Sequence, residues 1–187
     1  AGVFHSEMPE QEQGLMHGFQ LWLNLPADEK MKPAAYQDIV SADIAEQQLP
    51  EGGLVRVIAG KVTINQQTLQ GPMPEISTQP ILLDVQLAAN ETVEISFQAD
   101  NPARVYVYNG ATDALTSRQL GIYASGDTLQ LKAGPNGAEL LMLSAKPINE
   151  PVAQYGPFVM NTSEEIEQAI KDFQNPQFLD GLRAVAR

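Results

Sequence analysis

The residues with the most chemical potential are His5 and Glu7, two positions apart in the opening AGVFHSEMP segment. On an extended strand, residues i and i+2 leave the same face. An imidazole nitrogen and a carboxylate oxygen therefore point the same way, a donor pair suited to a first-row metal such as Fe(II), Mn(II) or Ni(II). The same pattern also describes two polar residues on a surface strand, and the spacing leaves both readings open. His17 is the second of only two histidines and cysteine is absent, so thiol catalysis, disulfides, zinc knuckles and iron–sulfur ligation are excluded within these residues. His17 reads as a hydrogen-bonded turn residue or as a neighbour of the first pair. Ser6 lacks a nucleophile-elbow setting, and Gly134-Pro135-Asn136-Gly137 is too short for a phosphate loop.

The surrounding chain has 187 residues, 11 Lys+Arg against 23 Asp+Glu, and a formal charge of −12. That balance repels nucleic acid and anionic membrane surfaces and suits a basic protein partner. The 43% hydrophobic content supports a folded core. No apolar run reaches the roughly 18 residues of a membrane helix and no signal peptide is visible, so the expected location is the cytoplasm. The start at Ala1 fits removal of an initiator Met or a cut inside a longer chain.

The elements that would position these residues are mostly strands. Phe19, Leu21, Leu23 and Leu25 alternate with polar Gln20 and Asn24, the period of a half-buried strand, and Trp22 reads as core or as the flank of a substrate pocket. Residues 26–50 read as a linker or covering segment. Further strands are expected at 54–59, 61–65, 81–87, 93–97, 104–108, 120–123, 128–132 and 139–144. Residues 66–80 read as a loop, and Asn109-Gly110 as a tight hairpin turn. Tyr106 and Tyr108 share a strand face and either line a cavity or pack with their hydroxyls at an edge. This spacing means an all-β sandwich or closed barrel. Residues 145–161 should cross the barrel as an ordered loop. Thr162-Ser163-Glu164-Glu165 is a capping box opening a helix over 163–174, with Ile166, Ala169, Ile170 and Phe173 in one apolar stripe expected to face the barrel.

Together, HSEMP at 5–9, HGFQLWLNLP at 17–26, Lys30-Met31, PAAY at 33–36, PINEP at 147–151 and GPFVMNT at 156–162 resemble the pirin family. The resemblance implies a bicupin: two cupin double-stranded β-helix (jelly-roll) barrels face to face. Residues 1–36 would be the closing strands of the first cupin and a linker, and 37–187 the C-terminal cupin with its helix at 163–174. Pirins typically hold one iron in the first barrel through an upstream H-x-H pair and a downstream H-x-E pair. His5 and Glu7 match the second pair, His17 matches a family histidine outside the usual ligands, and the H-x-H pair is absent from this sequence. Some pirins open the flavonol ring of quercetin with dioxygen; the resemblance then makes His5 a ligand and Glu7 a ligand and base. With two ligands alone, the chain is expected to be inactive by that route and to leave the metal unbound. Others in the family bind transcription factors or metabolic enzymes, a role that does not need the metal. As the end of a truncated first barrel, residues 19–25 would leave an apolar edge expected to self-associate, rearrange or pair with a complementing upstream fragment.

Overall fold

Residues that alternate in hydropathy become strands buried on one face, and the computed structural model, which describes residues 12–98 and 101–175, is built mainly from them. Eleven strands and one α-helix are formed among these residues: β1 Ala45–Gln48, β2 Leu54–Ala59, β3 Lys61–Ile64, β4 Gln67–Gln70, β5 Ile81–Leu87, β6 Thr92–Ser96, β7 Ala103–Thr112, β8 Leu120–Ile122, β9 Thr128–Ser144, β10 Ala153–Tyr155, β11 Phe158–Met160 and α1 Ser163–Gln174. By their contacts, the described residues of Asp38–Pro147 form one unit. Those of Ala1–Gln37 and Ile148–Arg187 form another.

The 38–147 unit is an antiparallel sheet folded over on itself, in the order β1-β2-β5-β9-β6-β3-β4, with β7 pairing β9 and β8. The C-terminal half of β9 pairs β5 from Ala138↔Leu87 to Ser144↔Ile81, while its N-terminal half pairs β6 from Thr128↔Ser96 to Lys132↔Thr92. One strand thus belongs to both layers, and the layers close on a common core. Val55, Val57, Leu83, Val85, Leu140 and Met142 from one layer and Val62, Ile64, Val93, Ile95, Leu129 and Leu131 from the other supply it. This is the cupin double-stranded β-helix, nearly closed into a barrel.

Several expectations are revised. Gly134-Pro135-Asn136-Gly137 does not separate two strands but lies inside the seventeen-residue β9. Asn109-Gly110 does not turn a hairpin: β7 runs on to Thr112, with register shifts on both sides of the pair. The left-handed conformation that favours glycine in a tight turn also serves a bulge. Gly110 has φ +71°, and a Cβ there would sit 2.3 Å from the Gly137 carbonyl oxygen of β9. Reversal comes later, where the Thr112 hydroxyl accepts from the Leu115 amide at 2.9 Å. The expected loop at 66–80 contains β4, antiparallel to β3, and the segment at 26–50 contributes β1 to the sheet. The expected loop at 145–161 contains the β10–β11 ribbon, Ala153–Tyr155 against Phe158–Met160.

Helix α1 begins as the sequence dictates. The Glu165 amide donates to the Thr162 hydroxyl at 3.2 Å, and the Thr162 amide donates to the Glu165 carboxylate at 3.0 Å. Its described neighbours are the strands of the adjacent ribbon, and Phe173 meets Phe158 edge-on at 5.7 Å. The expected barrel-facing stripe is thus used against the hairpin that immediately precedes it.

Glu91 is the polar group on which the barrel's turns depend. It is 2% exposed. Its carboxylate accepts from the amides of Glu51 at 2.8 Å, Gly53 at 3.0 Å and Ala88 at 2.9 Å, tying the β1–β2 turn to the β5–β6 turn. Gly53 leaves it room, since a Cβ there would lie 2.2 Å from a Glu91 oxygen. Replacing the carboxylate orphans buried amide donors, each worth about 1–3 kcal/mol. Glu91→Ala should therefore lower the urea midpoint of the barrel, with an unfolding free energy reduced by at least about 2 kcal/mol. An unchanged midpoint would show that water replaces the carboxylate without loss.

Candidate functional site

His5 and Glu7 lie outside the described residues, and the expected metal pair is carried forward as a proposal. His17 is exposed, its ring 5.1 Å from that of Phe19 at an interplanar angle of 49°. The half-buried strand expected through Phe19–Leu25 is not formed. Residues 12–25 belong to no strand, and Phe19 and Leu21 are each 49% exposed, Trp22 61% and Leu23 37%. A strand needs neighbours to pair its backbone and cover its apolar side chains. Alternation is therefore a statement about a partner as much as about the segment itself, and Trp22 is not core here.

Immediately after this segment the chain is gripped. Residues Ala27–Glu29 form a single 3-10 turn. The Ala27 amide donates to Glu150 Oε2 at 2.8 Å, and Asn161 Nδ2 donates to the same oxygen at 2.8 Å and to the Pro151 carbonyl at 3.0 Å. Lys30 Nζ donates to Asn24 Oδ1 and, at 3.3 Å, to the Val159 carbonyl. Residues 24–30 are thereby clamped to the arm that carries β10, β11 and α1. The Asn161 amide also donates to Glu165, linking the clamp to the helix cap at 2.8 Å. Sequence reasoning quoted Lys30, Glu150 and Asn161 without giving them a role. The available signal was a carboxylate and a carboxamide set among prolines, where a polar side chain is the means of tying irregular backbone.

In the barrel, Tyr106 and Tyr108 alternate with buried Val105 and Val107, and so point away from the core rather than lining a cavity within it. Tyr106 belongs to a row of directly paired residues across five strands, with Leu141, Asp84, Arg56 and Glu46. Tyr108 Oη donates to Asp84 Oδ1 at 2.9 Å, Arg56 Nη1 to Asp84 Oδ2 at 3.2 Å, and Arg56 Nε to Glu46 Oε1 at 2.7 Å. Burial first, then the bond to Asp84, pushes the Tyr108 hydroxyl far above the ordinary tyrosine value. The Arg56 guanidinium is raised chiefly by its bond to Glu46. The arrangement fastens the short edge strand β1 and presents no free nucleophile or base.

A cavity of about 170 Å³ opens beside the β2–β3 turn, where Lys61, Gln70, Glu75, Gln79, Gln98 and Asn101 contribute to its wall. Four amides, one ammonium and one carboxylate are poor donors for a transition metal. Among the described residues no group of three His, Asp or Glu side chains is placed to hold a metal ion.

Residues 82–179 match the family model of the pirin C-terminal cupin domain. That is more than half of the chain. The chain belongs to the pirin family. It is 41% identical over 182 residues to a Vibrio cholerae protein that carries a provisional quercetin 2,3-dioxygenase name, covering 95% of this chain and 64% of that protein. A pirin-like protein of Caulobacter vibrioides is 39% identical over 184 residues, again 95% of this chain and 64% of the relative. The crystal structure of a quercetin 2,3-dioxygenase from Acinetobacter baumannii superposes with a TM-score of 0.75 at 32% identity, covering 84% of this chain and 55% of that one. The pirin chain thus spans less than two thirds of the length of these relatives, which it matches without their N-terminal portion.

The raised Tyr108 fixes a direction for alkaline stability. An unfolded tyrosine ionises near pH 10, whereas folded Tyr108 keeps its proton well beyond it. The folded state thus binds more protons above pH 10, and its stability, complete below that pH, falls as pH rises toward the folded value. Tyr108→Phe should remove part of this alkaline loss while costing about 1 kcal/mol at neutral pH through the lost bond to Asp84. Urea titrations at neutral and alkaline pH measure both effects; equal slopes for the two proteins would refute the assignment.

Proposed function

We propose that the complete protein is a metal-dependent dioxygenase acting on flavonols of the quercetin class, and that His5 and Glu7 are half of its metal site. Similarity to proteins named as quercetin 2,3-dioxygenases, in a chain that carries the H-x-E pair, is the observation that supports this reading. An imidazole and a carboxylate fit Fe(II), and Mn(II) or Ni(II) as well, but two ligands hold a divalent ion weakly and a defined non-heme iron centre takes three. The remaining ligands would come from residues preceding Ala1, so the 187-residue chain alone should lack this activity. The metal, when bound, supplies Lewis acidity toward the hydroxyl–carbonyl edge of the flavonol and a route for electrons to dioxygen. Glu7 would accept the flavonol hydroxyl proton, and His5 would hold its place as a neutral donor.

A second reading favours a protein-binding role, and the charge of −12 supports a basic protein as partner. The cytoplasm is its proposed location; among the described residues no helix is long and apolar enough to cross a membrane.

Metal content and flavonol-dependent oxygen uptake, measured on the protein extended upstream of Ala1, separate the two readings. His5→Ala and Glu7→Ala should each lower metal affinity by about 10–100-fold or more. Glu7→Gln should cost about 10²–10⁴ in turnover at saturating metal. Full metal occupancy in both alanine variants would remove these residues from the site. Full occupancy in the parent protein without oxygen uptake would favour the protein-binding role.

A further inference from the structure

The cavity of about 170 Å³ beside the β2–β3 turn is framed by backbone hydrogen bonds. The Gly71 amide donates to the Gly60 carbonyl at 2.8 Å, which fixes the chain leaving β4, and the Gln79 amide donates to the Ile76 carbonyl at 2.8 Å. The Lys146 amide donates to the Thr78 carbonyl, also at 2.8 Å, and ties that turn to the chain leaving β9. Gly60, at φ +82°, lets the two walls approach, since a Cβ there would lie 2.6 Å from the Pro80 carbonyl oxygen. Polar residues stand in the wall so framed. Lys61 and Gln70 are directly paired across β3 and β4, Glu75 and Gln79 come from the loop that follows, and Gln98 and Asn101 from the chain between β6 and β7. Gln79 keeps a side chain at φ +45°, where glycine would be unstrained. Among the described residues, none of these polar side chains makes a hydrogen bond or an ion pair. Asn101 is only 4% exposed, so the cavity is where its donors and acceptor must be met.

We propose that this cavity binds a single sugar ring, free or at the end of a glycoside. Charge decides first. Lys61 and Glu75 cancel, and a chain of net charge −12 repels small anions. Both ions are exposed, whereas Asn101 is neutral and shares the wall with buried Pro80 and Ile81. A charged group reaching that depth would be desolvated without a counter-charge, which is costly. A hydroxyl would be satisfied there, because a carboxamide both donates and accepts. Four carboxamides on separate stretches of chain call for hydrogen-bonding groups around the ligand's whole rim rather than along one edge. Among the described residues no aromatic side chain lines the cavity, so a flat heterocycle gains no stacking. Met73 and the rings of Pro74 and Pro80 instead offer apolar surface to the C–H face of a pyranose. The volume agrees: about 170 Å³ holds roughly five or six waters at about 30 Å³ each, the space that one hexose would take. Such a site would work without the metal pair and without flavonol turnover.

Titration of the nitrogen-15-labelled 187-residue chain, read residue by residue by NMR, tests it. The probes are D-glucose, D-galactose and D-mannose, their methyl glycosides, glycine as a zwitterion, and inorganic phosphate. At least one hexose or methyl glycoside should shift the amides of Gly60, Lys61, Gly71, Gln79 and Asn101 saturably, with a dissociation constant of about 10 mM or below. Binding of the methyl glycosides alone would make the ligand a glycoside, and binding of the free hexoses alone a free sugar; either supports the site. Gln79→Gly, which relieves the left-handed backbone and removes one carboxamide, should weaken that binding by about 3–10-fold. Asn101→Leu should weaken it as much, and Gln79→Gly carries the test if the buried substitution unfolds the barrel. Amides within 83–87 and 128–132 should stay unshifted by the sugar. No saturable shift with any sugar, or unaltered affinity in Gln79→Gly, overturns the proposal. Glycine or phosphate binding at the same amides more tightly than the sugars overturns it too.

Discussion

The barrel depends on one strand being shared. β9 pairs β5 and β7 along its second half and β6 along its first, so a single uninterrupted backbone holds both layers at a fixed separation. A strand can change layers only by bending, and bending crowds the backbone of its neighbour. The crossing is made where Gly137 and Gly110 face each other, both in the left-handed region, with their backbones too close to admit a side chain. From that crossing follow the register shifts in β7, the late reversal at Thr112 and the side of the sheet on which Tyr106 and Tyr108 emerge. The buried Glu91 carboxylate acts close by, because its own carbonyl accepts from the Ala133 amide just where β9 begins to bend.

That constraint explains which parts of the fold were legible in the sequence. β2 and β5 were readable because Val55, Val57, Leu83 and Val85 alternate with half-exposed residues along strands buried on one face. The helix was readable because a capping box is local: four consecutive residues contain both donors and both acceptors. The Asn109-Gly110 and Gly134–Gly137 stretches misled because glycine reports a permitted backbone conformation, not its use. Whether a left-handed residue reverses the chain or bulges a strand is decided by the strand lying beside it, and that strand is distant in sequence.

The site divides in the same way. His5 and Glu7 carry a pattern that spacing alone leaves ambiguous between a metal pair and a polar strand face, and the resemblance across HSEMP, HGFQLWLNLP and GPFVMNT favours the metal reading. The clamp was hidden for a different reason. Ala27 and Glu150 are 123 positions apart and Lys30 and Val159 are 129 apart, with no periodicity to connect them. Trp22 shows the limit most sharply. Its apolar neighbourhood in sequence implies burial, but burial is a property of what packs against it, and no residue type encodes its own partner.

The stable core lies within residues 38–147, whereas the proposed metal pair stands at positions 5 and 7 of the sequence. The cupin at 38–147 has a closed core, a carboxylate locking its turns and a hydrogen-bonded chain from Tyr108 through Asp84 and Arg56 to Glu46 fastening its edge. Residues 15–25 belong to no helix or strand and are largely exposed, and hydrogen bonds whose partners could otherwise be solvated contribute about 0.5–1.5 kcal/mol each. Such a segment opens at far lower free energy than the barrel does. Covering Phe19, Leu21 and Trp22 would bury apolar surface worth about 25 cal/mol per Å², and so would stiffen residues 15–25.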